Sequence, residues 1–282
     1  MEHYLTKIEI KKLRHLSNIN IELNNEKRQH LLFTGKNGSG KTTVLLAMQK
    51  YLKAINDRKL NLLKGDYLEW LNNSEKALQN VKEEEKYQKQ KQYEQRLSSI
   101  IKYSDGLELH FNKYSDLDAL YEKGNFIIAY FSADRKTQII PAQGVQDIKL
   151  KDFYNVEEDA GTILVKYMVH LKTQQAYARN ESDMPNVVRI EKWFTRFENA
   201  LRILFDDETL QLKYNYKEYD FSIIEKGREP FSFNELSDGY SSVIHIVSDL
   251  ILRMELKKIS EQIVGELKDK FEEIEMQRKN YG

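Results

Sequence analysis

The chain has 282 residues, with 44 Lys and Arg balanced by 44 Asp and Glu, and 40% of its residues are hydrophobic. Zero formal charge removes any global electrostatic ground for nucleic-acid binding, and the absence of cysteine excludes disulfides and thiolate metal sites. Mean hydropathy is −0.66, no run of about 18 apolar residues occurs, and Met1–Lys7 does not read as a leader, so the expectation is a cytoplasmic protein with no membrane partner.

Apolar residues alternate over two short stretches between Leu5 and Leu23, which predicts two half-buried strands. The apolar run His30–Thr34 predicts a third strand, stopping at Gly35, and helix-forming residues resume at Lys41 and continue to about Ala54. Residues 56–103 turn rich in Lys, Glu, Gln and Asn, with sparse apolar positions at Leu78, Val81, Tyr87, Tyr93 and Leu97, and predict a protruding helical insertion. Strand patterns return at Leu107–Phe111 and at Asn125–Phe131, the latter the best candidate for a buried central strand. A helical block follows from Glu158 to Phe205, broken at Asp183-Met184-Pro185. Then come strands at Leu210–Tyr214 and Asp220–Ile224, and a last apolar helix after Tyr240. The predicted organisation is a head of residues 1–55 and 104–254, the insertion 56–103, and a helical segment 255–282.

Between the third strand and its helix lies Gly35-Lys36-Asn37-Gly38-Ser39-Gly40-Lys41-Thr42, which satisfies G-x-x-x-x-G-K-[ST] in the strand, loop, helix order that gives the pattern its mechanism. Glycines permit close backbone approaches, so that amide N–H groups can converge on phosphates at the positive end of the following helix. Lys41 should reach the β- and γ-phosphates, Thr42 should ligate Mg²⁺, and Thr43 is placed to add a contact. The expected cofactors are therefore ATP and Mg²⁺.

Far downstream, Leu236-Ser237-Asp238-Gly239-Tyr240 precedes the last apolar helix. Together with the Gly35–Thr42 loop and the opening strands, it resembles the ABC-type ATPase heads of the SMC, RecF and overlapping-lysogenisation families, whose signature is written Leu-Ser-Gly-Gly-Gln. The resemblance implies an α/β P-loop fold with a mixed sheet and helical insertions. It also implies a homodimer or higher homo-oligomer closed around ATP, in which Ser237 and Gly239 face the phosphate of the partner's nucleotide and Asn234 lies close by. Asp238 and Tyr240 depart from the signature, and Ser237 or Asp238 also reads as an ordinary helix N-cap. After the Asn125–Phe131 run, the resemblance places a glutamine loop, with Gln138 as the Mg²⁺-sensing candidate and Arg135 near phosphate; a polar turn after a strand explains the same residues equally well.

Hydrolysis in such heads needs a Walker B strand ending in Asp-Glu. Residues 255–282 read as helix and contain none, and Glu266 and Glu272, the available acids, read as solvated helix residues. A longer ATPase, a strand from another chain, or binding without turnover would each account for this, and catalytic residues stay unassigned. The moderate insertion resembles the ATPases of bacterial anti-phage modules, the Septu and retron-associated kinds, which work beside an HNH nuclease. The resemblance therefore implies an ATPase that regulates a nuclease or DNA-directed partner. A repair ATPase gripping DNA directly and a transporter ATPase are the other readings. Two basic clusters, Lys7, Lys11, Lys12, Arg14 and Lys82, Lys86, Lys89, Lys91, could touch phosphates, though such runs are usually solvated faces. The six histidines, His3, His15, His30, His110, His170 and His245, show no metal-ligand spacing, so no metal is expected beyond Mg²⁺.

Overall fold

The computed structural model describes residues 2–63, 65–78, 83–132 and 139–255. They form a mixed α/β chain with two small antiparallel sheets, divided between two compact units: Met1–Tyr130 with Asn155–Glu157, and Phe131–Tyr154 with Glu158–Gly282.

In the first unit, strands β1 (Leu5–Leu13), β2 (Leu16–Glu22) and β3 (Leu107–Phe111) make a sheet of order β2-β1-β3. Period-two alternation turns Ile8 and Ile10 of β1 and Leu107, Leu109 and Phe111 of β3 into the core and leaves Lys7, Glu9, Lys11, Glu108 and His110 on the other face. Gly106 sets the β1–β3 register. Its carbonyl accepts from the Lys11 N–H at 2.8 Å, its φ is +80°, and a Cβ there would stand 2.1 Å from the Lys12 carbonyl oxygen.

Helix α1 (Lys41–Asn56) covers the apolar face with Val44, Ala47, Tyr51, Ala54 and Ile55, the three-and-four spacing of one helical stripe. The polar stretch that follows holds helices α2 (Gly65–Leu78) and α3 (Glu83–Tyr103), which pack on each other; α3 is exposed along residues 85–92 and is anchored at its far end by Ile100 and Tyr103. A short helix, α4 (Leu117–Glu122), closes the unit with Leu117 and Tyr121.

Two expected strands do not form. His30–Thr34 and the described backbone of Asn125–Phe131 join no ladder, and Leu32 is 82% exposed. An apolar run states a preference for burial, but a strand also requires a partner whose N–H and C=O groups meet its own. The Tyr130 N–H donates to the Val156 carbonyl at 3.2 Å, but an isolated bond of this kind does not extend into a ladder.

In the second unit, helices α5 (Leu164–Asn180) and α6 (Met184–Phe205) pack together, and α6 carries the stripe Val187, Ile190, Trp193, Phe197, Leu201 and Phe205. The helical block breaks where the sequence placed the break. Asp183 accepts a hydrogen bond from the Asn186 N–H at 3.2 Å, and Pro185 occupies the first turn, where its missing N–H costs nothing. Strands β4 (Gln211–Asn215), β5 (Asp220–Ile224) and β6 (Phe231–Ser232) form the second sheet in that order. Helix α6 also covers edge strand β4: Glu198 accepts from the Leu212 N–H at 2.9 Å, and Arg202 donates to the Leu210 carbonyl at 2.9 Å. Helix α7 (Asp238–Met254) completes the unit.

Candidate nucleotide-binding site

The Gly35–Thr42 segment is an exposed loop leading into α1. Gly35, Gly38 and Gly40 have φ of +147°, +82° and +94°, the region glycine enters at least cost. At Gly40 close packing adds to the backbone requirement, because a Cβ would lie 2.9 Å from Leu16 Cδ1 and 3.3 Å from His15 Nε2. The turn between β1 and β2 is thus pressed against the last glycine of the loop. Gly40 is also the N-cap of α1, and no side chain caps the helix; the first helical bond runs from the Val44 N–H to the Gly40 carbonyl at 2.9 Å. The N–H groups of Lys41, Thr42 and Thr43 therefore lack intrahelical acceptors and face the loop with the positive end of the helix dipole.

Lys41 curls back over the loop. Its ammonium donates to the Gly35 carbonyl at 2.6 Å, the Lys36 carbonyl at 2.9 Å and Ser39 Oγ at 3.4 Å, while Ser39 N–H closes a turn onto the Lys36 carbonyl at 3.2 Å. A flexible four-carbon stem thus holds the Lys41 ammonium against carbonyls at the start of α1. An incoming anion can draw the ammonium off those carbonyls without rebuilding the backbone. Lys36, Asn37 and Thr42 are exposed around it.

In the second unit, Ser237 is the N-cap of α7 by backbone position, but its hydroxyl makes no capping hydrogen bond. Gly239 has open space where a Cβ would point. Asp238 lies in the first turn, the favourable end of the dipole for an acid. Tyr240 stacks on Phe205 with ring centroids 4.7 Å apart and planes 2° from parallel. Asn234 is exposed in the 3₁₀ turn Phe233–Glu235, which Glu235 fixes by accepting from the Ser232 N–H at 2.6 Å. That bond holds the Glu235 carboxyl below its usual range. Gln138, Arg135, Glu266 and Glu272 lie outside the described residues.

Sequence reasoning missed a buried polar network behind the α7 turn. Asp249 and Arg253 pair at 2.5 Å, both almost wholly buried. Asp249 also accepts from the Ala160 N–H at 2.6 Å, and Arg253 donates to the carbonyls of Tyr154, at 3.2 Å, and Glu158. One turn earlier, His245 Nε2 meets Asp159 at 2.9 Å. Gly161 permits this approach, since a Cβ there would come within 2.9 Å of the His245 carbonyl oxygen. Burial pushes the neighbouring Tyr154 phenol up, against the pull of the Lys151 N–H hydrogen bond and the nearby Lys151 and Arg253 charges. The available signal was an Asp and an Arg four residues apart inside an otherwise apolar helix.

No protein-family model matches this chain, and no curated protein or solved structure resembles it significantly. No helix among the described residues is long and apolar enough to cross a membrane.

Proposed function

We propose that this chain binds ATP with Mg²⁺ through Gly35–Thr43 and serves as an ABC/RecF-like ATPase head. It closes as a homodimer around nucleotide and regulates a nuclease or DNA-directed partner, in the cytoplasm, in anti-phage defence. The observation that carries the reading is the combination at the start of α1: an uncapped helix N-terminus, three glycines at positive φ, and the Lys41 ammonium lodged on the loop carbonyls. Backbone N–H groups of the loop and Lys41 would hold the phosphates, and Thr42 would ligate the cation; Mg²⁺ supplies charge neutralisation at the phosphate oxygens. Ser237 and Gly239, exposed at the start of α7, offer a second anion-facing turn for a partner's nucleotide. The nuclease and defence assignments rest on the family resemblance alone.

A direct grip on DNA is less well supported. Of the first basic cluster, Lys7 sits 3.2 Å from Glu9 and 3.7 Å from Glu22, and Lys11 sits 2.6 Å from Glu108, so part of its charge is already neutralised at home.

The test is titration of the full chain with ATP and Mg²⁺ by calorimetry. Lys41→Ala is expected to weaken binding on the order of 100-fold, about 2.8 kcal/mol, in line with loss of charge-assisted bonds. Undiminished affinity in that variant would sink the assignment.

A further inference from the structure

We infer that the polar face of the β1/β3 pair is a binding site for a first-row divalent cation such as Zn²⁺, ligated by His110 Nε2 with one carboxylate oxygen each from Glu9 and Glu108. Antiparallel register places Glu9 directly opposite Glu108, and His110 follows two residues later on the same face of β3. One ligand atom from each lies within 4.8 Å of the others. Around a tetrahedral ion with ligands at about 2.1 Å, neighbouring ligand atoms stand about 3.4 Å apart. His110 Nε2 and Glu9 Oε2 already stand 3.5 Å apart, so the remaining adjustment is side-chain rotation by about an ångström on that same geometry.

Two further observations point to a cation here. The His110 side chain is 37% exposed, but its Nε2 atom is itself shielded from solvent and makes no hydrogen bond, its nearest acidic oxygen being Glu9 Oε2 at 3.5 Å, and a metal bond would satisfy it. Two carboxylates directly opposite on antiparallel strands repel each other and need a positive charge between or beside them. Without metal that charge comes from Lys7, 3.2 Å from Glu9, and Lys11, 2.6 Å from Glu108. Both lysines can yield: the Lys11 side chain is 54% exposed, and Lys7 has a second carboxylate, Glu22, at 3.7 Å. Imidazole in the donor set favours Zn²⁺ over Mg²⁺ or Ca²⁺, and water completes the shell. The ion would pin β1 to β3, segments about a hundred residues apart in sequence.

The experiment uses the full chain, stripped with chelator and free of nucleotide, titrated with Zn²⁺ by calorimetry and with Co²⁺ by visible absorption. The expected result is one saturable ion, with the ligand-field absorption of a four-coordinate Co²⁺. His110→Ala and Glu9→Gln should each weaken binding at least about tenfold. Lys7→Met, which removes a competing ammonium, should strengthen it, a change that a folding defect cannot imitate. Absence of saturable binding overturns the proposal, as does binding that His110→Ala and Glu9→Gln leave unchanged, which would place the ion on other residues. Failure of Lys7→Met to tighten binding would overturn the competition inferred between the ammonium and the ion for the Glu9 carboxylate. None of these readouts depends on ATP.

Discussion

Helices α6 and α1 both begin after a loop, and they begin in opposite ways. At α6, Asp183 turns its carboxylate onto the Asn186 N–H and Pro185 removes one donor from the first turn, so the orphan amides are largely dealt with locally. At α1 a left-handed glycine stands at the cap position without a side-chain cap bond, and Lys41 is bent onto carbonyls rather than onto amides. Helix α7 resembles α1 in this respect, since Ser237 occupies the cap position without capping. A helix start closed by its own cap serves stability, whereas one left open keeps donors available for an anion from outside. Helices α4 and α5 also start without a side-chain cap, so the open start of α1 points to binding only together with its glycine loop and Lys41.

Mutations at the three helix starts should therefore separate stability from nucleotide affinity. The largest effect is expected from Gly40→Ala. A residue with φ of +94° and a methyl 2.9 Å from Leu16 Cδ1 is strained in both backbone and packing, so the unfolding free energy should fall by about 1–3 kcal/mol in denaturant titration. ATP affinity should fall as well, because the strain deforms the loop that presents the amides. Next comes Asp183→Ala, which should cost about 1 kcal/mol of stability through the lost cap and leave ATP binding as it was. If Asp183→Ala weakened nucleotide binding while Gly40→Ala did not, the contrast between closed and open helix starts would be reversed.

Much of this was legible from sequence, for identifiable reasons. Strands β1 to β5 and helices α1, α5 and α6 follow from period-two or three-and-four patterns that need only their own residues to be read, and the Asp183-Met184-Pro185 break follows from cap chemistry. His30–Thr34 and Asn125–Phe131 show the limit. Their composition asks for burial, but pairing depends on a neighbour that no local pattern supplies, and Leu32 remains exposed. The Gly35–Thr42 loop was legible because all its parts are contiguous. The face formed by Glu9, Glu108 and His110 was not, because two segments about a hundred positions apart must first be brought into register. The contact between His245 and Asp159 is hidden for the same reason, whereas Asp249 and Arg253 needed only the question why an apolar helix should carry both charges on one stripe.

The smallest stability effect is expected at the start of α7, and it is the most discriminating. If Ser237 were an ordinary N-cap, Ser237→Ala would remove a hydrogen bond to a first-turn amide and cost about 1 kcal/mol. Its hydroxyl makes no such bond, so thermal unfolding of the variant should stay within about 0.5 kcal/mol of the parent, as for a surface substitution without a structural role. ATP-dependent self-association, measured by light scattering at saturating nucleotide, should nevertheless weaken, since a phosphate-facing hydroxyl would be missing from the partner's site. A full capping penalty with unchanged association would identify Ser237 as a structural residue, and the composite site would lose the half that this helix is proposed to supply.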